Sequence, residues 1–229
     1  VELKDKNVLL FDLDGTLVDS APDLALAINR MLADLNKPEF DEDMIRSWVG
    51  NGAKILTERA LSGSAEIDET LDNAYAADAL TKFLAHYKEC VCVNSVLYDG
   101  VRDGLISLKQ AGYRLAIITN KPEQFIQPIL DGLAIGSLFE IQIGGDTFPV
   151  QKPHPDPLFG ALTKLDVTVE QCVMIGDSKN DILAAQAAGM ASVGLTYGYN
   201  YGEDISQYQP SWCFDNFNQF VAAFKLLKI

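Results

Sequence analysis

Val8-Leu9-Leu10-Phe11-Asp12-Leu13-Asp14-Gly15-Thr16 decides how the rest of the chain is read. Its four leading apolar residues form a short continuous run, which fits a strand buried on both faces. The run stops at two aspartates, and Asp14-Gly15 marks a turn. A strand covered on both sides needs helical layers above and below it, and the chain downstream supplies the pattern for them.

From Ser20 to about Leu35 the apolar residues Leu24, Ile28, Met31, Leu32 and Leu35 recur at three- and four-residue steps. This predicts a helix capped by Asp19 or Ser20, with Pro22 in its first turn. Asp41 is placed to cap a second helix running to Trp48, Gly50-Asn51-Gly52 breaks the chain, and Ala53 to Leu61 is helical again. A longer helical stretch carries Ile67, Leu71, Tyr75, Leu80, Phe83, Leu84 and Tyr87 on one side. From Val96 onward, strand and helix alternate. Strands are predicted at Tyr113–Ile118, Ile141–Ile143, Cys172–Ile175 and Ala191–Leu195. The helices between and after them are Val101–Ala111, Glu123–Leu133, Pro155–Leu165, Asp181–Ala188 and Phe217–Leu227. Alternation of this kind implies an α/β class with a doubly wound, mostly parallel sheet. Residues 1–16 and 95–229 would form this catalytic core. Residues 17–94 would form an all-helical cap inserted after the first strand, with linkers near 15–20 and 90–98.

Composition narrows the function. Eighteen basic against 32 acidic residues give a net charge of −14, which argues against nucleic acid as a partner because a phosphate-backbone grip needs a basic stripe. A small anionic substrate is still compatible, since one local cation or metal overrides a global charge. With 48% hydrophobic and 22% charged residues, the 229-residue chain is expected to be globular. No apolar run approaches membrane-spanning length, and no signal-peptide pattern opens the chain, so a cytoplasmic protein with no membrane partner is expected, as a monomer or small homo-oligomer. Cys90, Cys92, Cys172 and Cys213 lack paired zinc spacing and read as reduced thiols. Cys90 and Cys92 are spaced to share one face of a strand.

In an open α/β sheet, ligands bind beyond the carboxyl ends of the strands. Four such ends carry polar residues: Asp12 with Asp14, Thr119 with Asn120, Lys152, and Asp177 with Asp181. Taken singly, each has a plain alternative as a turn, a helix cap or a solvated lysine. Together, four carboxylates on one rim would repel one another without a cation, and their hard oxygen ligands suggest Mg2+ rather than zinc. Thr119-Asn120, between a strand and a helix, suits an anion, and Lys152 supplies a point charge for a phosphate.

Asp12-Leu13-Asp14-Gly15-Thr16, Thr119-Asn120, Lys152-Pro153 and Gly176-Asp177-Ser178-Lys179-Asn180-Asp181 resemble, in order, the four motifs of the haloacid dehalogenase superfamily. The resemblance spans nearly the whole chain and implies a Rossmann-like core and a helical cap. Arg46–Ala53, Lys152–Leu158 and Gly194–Gly202 are further similar to the bacterial phosphoglycolate phosphatase branch. The resemblance implies Mg2+-dependent hydrolysis of 2-phosphoglycolate through an aspartyl-phosphate. Asp12 would be the nucleophile and Asp14 the acid and base. Asp12, Asp177 and the Asp14 carbonyl would hold the metal, with Asp181 behind them. Lys152, Thr119 and Asn120 would hold the phosphate. Another small ester such as a sugar phosphate, or a phosphomutase reaction, is the alternative. For the substrate carboxylate, Asn51 and Gly52 offer a helix start, and Arg46, Lys54 and His154 are the candidate cations. Arg46 and Lys54 also read simply as surface charges, and Gly50-Asn51-Gly52 as a plain turn.

Overall fold

The computed structural model describes residues 6–226. Strand β1 (Val8–Phe11) is buried along its whole length. Its alternate residues divide between two apolar layers: Leu9 and Phe11 face one cluster, and Val8 and Leu10 the other. The chain then leaves through β2 (Val18–Asp19) into α1 (Ala21–Asp34), α2 (Glu42–Arg46), α3 (Gly52–Ser62) and α4 (Asn73–Cys90), and returns through β3 (Val96–Leu97). β2 and β3 pair antiparallel, so a two-stranded ribbon carries both crossings. The expected all-helical stretch thus opens on a short strand.

The rest alternates: α5 (Val101–Gln110), β4 (Arg114–Ile118), α6 (Ile126–Gly132), β5 (Ile141–Ile143), α7 (Asp156–Leu165), β6 (Cys172–Gly176), α8 (Lys179–Ala187), β7 (Ala191–Leu195), β8 (Trp212–Phe214) and α9 (Phe217–Lys225). The strands form one sheet in the order β5-β4-β1-β6-β7-β8, and all of its pairings are parallel. β1 is central, and the connections run first to β4 on one side and later to β6 on the other. That is a topological switch point, where a crevice opens beyond the strand ends. The fold is the α/β architecture expected from the sequence.

Four local readings are corrected. The long helix starts at Asn73, because Asp72 caps it by accepting from the Tyr75 amide at 2.8 Å, so Ile67 and Leu71 precede it. Glu123–Phe125 is a 3-10 turn before α6 rather than part of one helix. Cys90 ends α4, and Cys92 sits in a turn with φ 61°, so the two thiols share no strand. β8, an edge strand, was not expected.

The helical insert has its own apolar cluster, built from residues such as Ile28, Met31, Leu56 and Phe83, which also takes in Phe125 and Tyr199 from the sheet region. Trp48 belongs to this cluster and packs edge-on against Phe40 at 5.2 Å. Buried Asp23, in the first turn of α1, ties down the returning chain. Its carboxylate accepts from the amides of Val93 (3.1 Å), Asn94 (2.8 Å) and Ser95 (2.9 Å) and from the Ser95 hydroxyl (2.5 Å). Asp23→Ala leaves these donors unpaired, and urea unfolding should show a loss of about 3 kcal/mol.

Candidate active site

Asp12 stands one residue beyond β1, and its amide donates to the Ile175 carbonyl at 2.9 Å, extending the ladder to β6. Buried Lys152 meets it from the loop after β5. Its ammonium lies 3.1 Å from Asp12 Oδ1 and donates to Asp181 Oδ1 at 2.6 Å and to the Ile118 carbonyl at 2.7 Å. Three partners match the three donors of an ammonium. Asp181 Oδ2 accepts from the Ser178 amide and hydroxyl at 3.1 and 3.0 Å, a capping arrangement that starts α8. Asp177 accepts from the Thr16 hydroxyl at 2.5 Å and the Tyr199 amide at 2.7 Å.

Asp12, Asp177 and Asp181 each offer one carboxylate oxygen within 4.8 Å of the others. Burial pushes Asp12 up to about 6, with Lys152 opposing and Asp181 and Asp14 reinforcing the rise. Burial, then the charges of Asp12 and Asp181, raise Asp177 well above the ordinary carboxylate range. Burial works against the Lys152 ammonium, but Asp12 and Asp181 overcome it and raise its pKa. An all-oxygen set of mutually repelling carboxylates fits a hard divalent cation. Among the carboxylates, Asp14 stands outside this triad. Asp14 Oδ1 accepts from the Ser20 hydroxyl at 2.5 Å, and its two oxygens face Lys121 Nζ at 2.9 and 3.1 Å.

Thr119 and Asn120 follow β4, with the Thr119 amide donating to Ile143 at 3.0 Å. Asn120 Nδ2 donates to the carbonyls of Gly50 (3.0 Å) and Lys152 (2.8 Å), so one amide joins the insert to the core. Asp12, Asp14, Thr119, Asn120 and Lys121 line one side of a pocket whose other wall includes Leu24, Val49, Gly52, Leu56, Phe83 and Tyr87.

The proposed carboxylate-binding residues of the insert are not gathered there. Arg46 is bound to Asp19 at 2.6 Å and Glu42 at 2.7 Å and lies over the Tyr199 ring. Lys54 is exposed near Glu58 (3.8 Å), and half-exposed His154 faces Asp156 (3.3 Å). Both line a separate open groove together with Asn51. Asn51 Oδ1 accepts from the Tyr201 hydroxyl at 2.7 Å. Gly52 does line the pocket, at φ +80° and against the Asn120 carbonyl. Gly50-Asn51-Gly52 is therefore a contact with the core rather than a free turn. Lys121 was missed, although it directly follows Thr119-Asn120 at the same strand end. Ser20 and Tyr87 were missed because only packing brings them to the rim.

The profile of the haloacid dehalogenase-like hydrolases matches residues 9–195. A phosphoglycolate phosphatase of Colwellia psychrerythraea is 68% identical over 225 residues, covering 98% of this chain and 100% of that protein. One from Pasteurella multocida is 47% identical, covering 92% and 95%. The crystal structure of a predicted phosphoglycolate phosphatase from Haemophilus somnus superposes with a TM-score of 0.88 at 43% identity, covering 96% and 98%.

The loop after β7 reaches the acidic triad so closely that a Cβ on Gly198 would lie 2.1 Å from Asp177 Oδ2. Gly198→Ala must therefore displace the Asp177 carboxylate. It should weaken divalent-cation binding about tenfold or more, read by calorimetric titration, while the far-ultraviolet circular dichroism stays that of the unmutated protein.

Proposed function

The chain belongs to the haloacid dehalogenase-like hydrolase family and is a phosphoric monoester hydrolase, and we propose that its substrate is 2-phosphoglycolate, released as glycolate and phosphate. The observation that carries this reading is one pocket lined by both Asp12 and Asp14 and closed by the insert. The two aspartates flank Leu13, so they can address opposite sides of one scissile P–O bond. The relatives named above carry the same activity in their names over nearly the full length of this chain.

Asp12 is the nucleophile in this reading. Its carboxylate oxygen attacks phosphorus, the bond to the ester oxygen breaks, and the Asp14 proton passes to the departing alkoxide. Water then attacks the aspartyl-phosphate, gives its proton to Asp14, and restores Asp12. The Thr119 hydroxyl and the Asn120 backbone N–H hold phosphoryl oxygens, and Lys152, set behind Asp12, supplies positive charge to them, where charge concentrates during transfer. Asp181 keeps Lys152 beside Asp12. Asp12, Asp177 and the Asp14 carbonyl would hold Mg2+, which supplies charge neutralisation between nucleophile and phosphate when bound. The apolar wall of the insert excludes water from the reacting bond.

Three outcomes test this reading. Phosphate release from a panel of 2-phosphoglycolate, phospholactate, glycerol phosphates, hexose phosphates and nucleotides should favour 2-phosphoglycolate and stop with EDTA. Activity spread evenly over hexose phosphates would discard the substrate. Asp12→Asn should abolish turnover while the fold persists, since burial already pushes the Asp12 carboxyl up to about 6 and Lys152 keeps Asp181 and the Ile118 carbonyl; full activity in that variant would discard the mechanism.

The third outcome concerns pH. In the metal-free protein Asp12 is raised to about 6, so protonation stabilises the fold at lower pH and that stabilisation is lost as pH rises through about 6. Proton and cation compete for the same oxygens. Mg2+ at a hundredfold excess over Kd, worth about 2.7 kcal/mol, should therefore raise the unfolding midpoint by several degrees at about pH 8 and by little at about pH 5. An equal rise at both pH values counts against the triad as the ion site.

A further inference from the structure

We propose that Lys121 and Tyr87 form the subsite that selects the leaving group, binding a carboxylate attached one carbon from the ester oxygen. The proposal rests on the reading of Asp14 as the acid that protonates that oxygen and on 2-phosphoglycolate as the substrate.

Position carries the argument. The ester oxygen must lie against Asp14 to receive its proton. Lys121 Nζ lies 2.9 Å from Asp14 Oδ1 and 3.1 Å from Oδ2, so it stands next to whatever is bonded to that oxygen. In phosphoglycolate the carboxylate carbon is only two bonds further on. Among the described residues, the charged groups lining the pocket are Asp12, Asp14 and Lys121, which makes Lys121 the cation available on that wall. The candidates Arg46, Lys54 and His154 lie outside the pocket.

Tyr87 supplies the second, independent observation. It projects from α4 in the insert, is 1% exposed, and lines the same pocket. Its hydroxyl is buried beside the Lys121 ammonium, which can only donate to it, and finds no acceptor for its own proton among the described residues. A buried hydroxyl whose proton has no acceptor is unfavourable, and here it lines a binding pocket. The ring is fixed by stacking on Phe83 at 5.8 Å, by an edge contact with Phe125 at 4.8 Å, and by the Lys121 ammonium 4.7 Å from its centre. Phenol and ammonium thus stand side by side, one from the insert and one from the core. A carboxylate accepting from both would satisfy the hydroxyl and bridge the two parts. The remaining walls, Leu24, Val49, Leu56, Phe83 and Phe125, are apolar and offer nothing to the hydroxyls of a sugar, so short carboxylated leaving groups are favoured.

Ethyl phosphate has the length of phosphoglycolate without its carboxylate. The test is the ratio of kcat/KM for 2-phosphoglycolate over ethyl phosphate in the unmutated enzyme, in Tyr87→Phe and in Lys121→Gln. Tyr87→Phe keeps the ring contacts and removes a hydroxyl whose proton has no acceptor, so the fold is preserved. The ratio should fall about tenfold in Tyr87→Phe, through KM for phosphoglycolate, as expected for one hydrogen bond to a charged group. It should fall further in Lys121→Gln, where loss of the Asp14 contact slows both esters but only the carboxylate loses its counter-ion. A strong preference in the unmutated enzyme that survives both substitutions overturns the subsite and leaves the substrate standing. A ratio near unity in the unmutated enzyme overturns both, and the wild-type panel alone distinguishes that result.

Discussion

One buried ammonium holds together a rim that would otherwise repel itself. Lys152 spans Asp12 and Asp181 and anchors its third donor on the Ile118 carbonyl at the end of β4. A lysine that is 1% exposed is sustained only by such complete pairing. Asp12 comes from β1, Asp177 and Asp181 from the segment after β6, and Lys152 from the loop after β5. The switch-point topology brings those segments to one end of the sheet. Counting Lys152 against Asp12, Asp177 and Asp181 leaves an excess of negative charge. Burial and mutual repulsion accordingly hold Asp12 and Asp177 toward their protonated forms. A divalent cation would relieve the same imbalance without protonating Asp12.

The second constraint is the join between insert and core. The Tyr199 hydroxyl accepts from the Ser20 amide at 2.9 Å and donates to Asp19 at 2.5 Å, at the start of α1. The Tyr201 hydroxyl donates to Asn51 Oδ1 and accepts from Asn180 Nδ2 at 3.1 Å, while Asn180 also reaches the Gly50 carbonyl at 3.0 Å. These polar joints stand beside an apolar one, where Phe125 and Tyr199 enter the insert's own cluster. Asp23, by contrast, fixes the returning chain to α1 within the insert.

The sheet was legible because its strands are short, apolar and sharply bounded. Val8–Phe11, Ile141–Ile143 and Ala191–Leu195 stand where hydrophobic runs end at polar or glycine residues. β8 was not, because Trp212-Cys213-Phe214, with Cys213 exposed, follows the polar stretch Gln207–Ser211 and carries no boundary signal of its own. The start of α4 was misplaced because Ile67 and Leu71 keep a helical spacing while Asp72, through one hydrogen bond, sets the actual boundary. At the rim, Asp12, Asp14, Thr119, Asn120 and Asp177 converge because each lies just past the end of a sheet strand, while Asp181 arrives in the first turn of α8 and Lys152 by way of the longer loop after β5. Which insert residue faces them is a matter of packing angle, and no spacing rule encodes it. Arg46 is a cation in a suggestive segment, yet two carboxylates already hold it.

Lys121 shows why net charge misleads about such a site. A chain of charge −14 presents a field that repels a dianionic ester, but exposed charges are screened beyond about 8 Å at physiological ionic strength. Within the pocket the nearest charges dominate, because they act over hydrogen-bond distances and beside low-dielectric walls. Those are Lys152 behind Asp12 and Lys121 beside Asp14, both held above the ordinary lysine pKa despite burial, because the aspartates outweigh the desolvation. Each cation is therefore charged and held in place by its aspartates before substrate arrives. An incoming anion meets positive charge already positioned by the aspartates, and the acidity of the surface has little bearing on what happens at the rim.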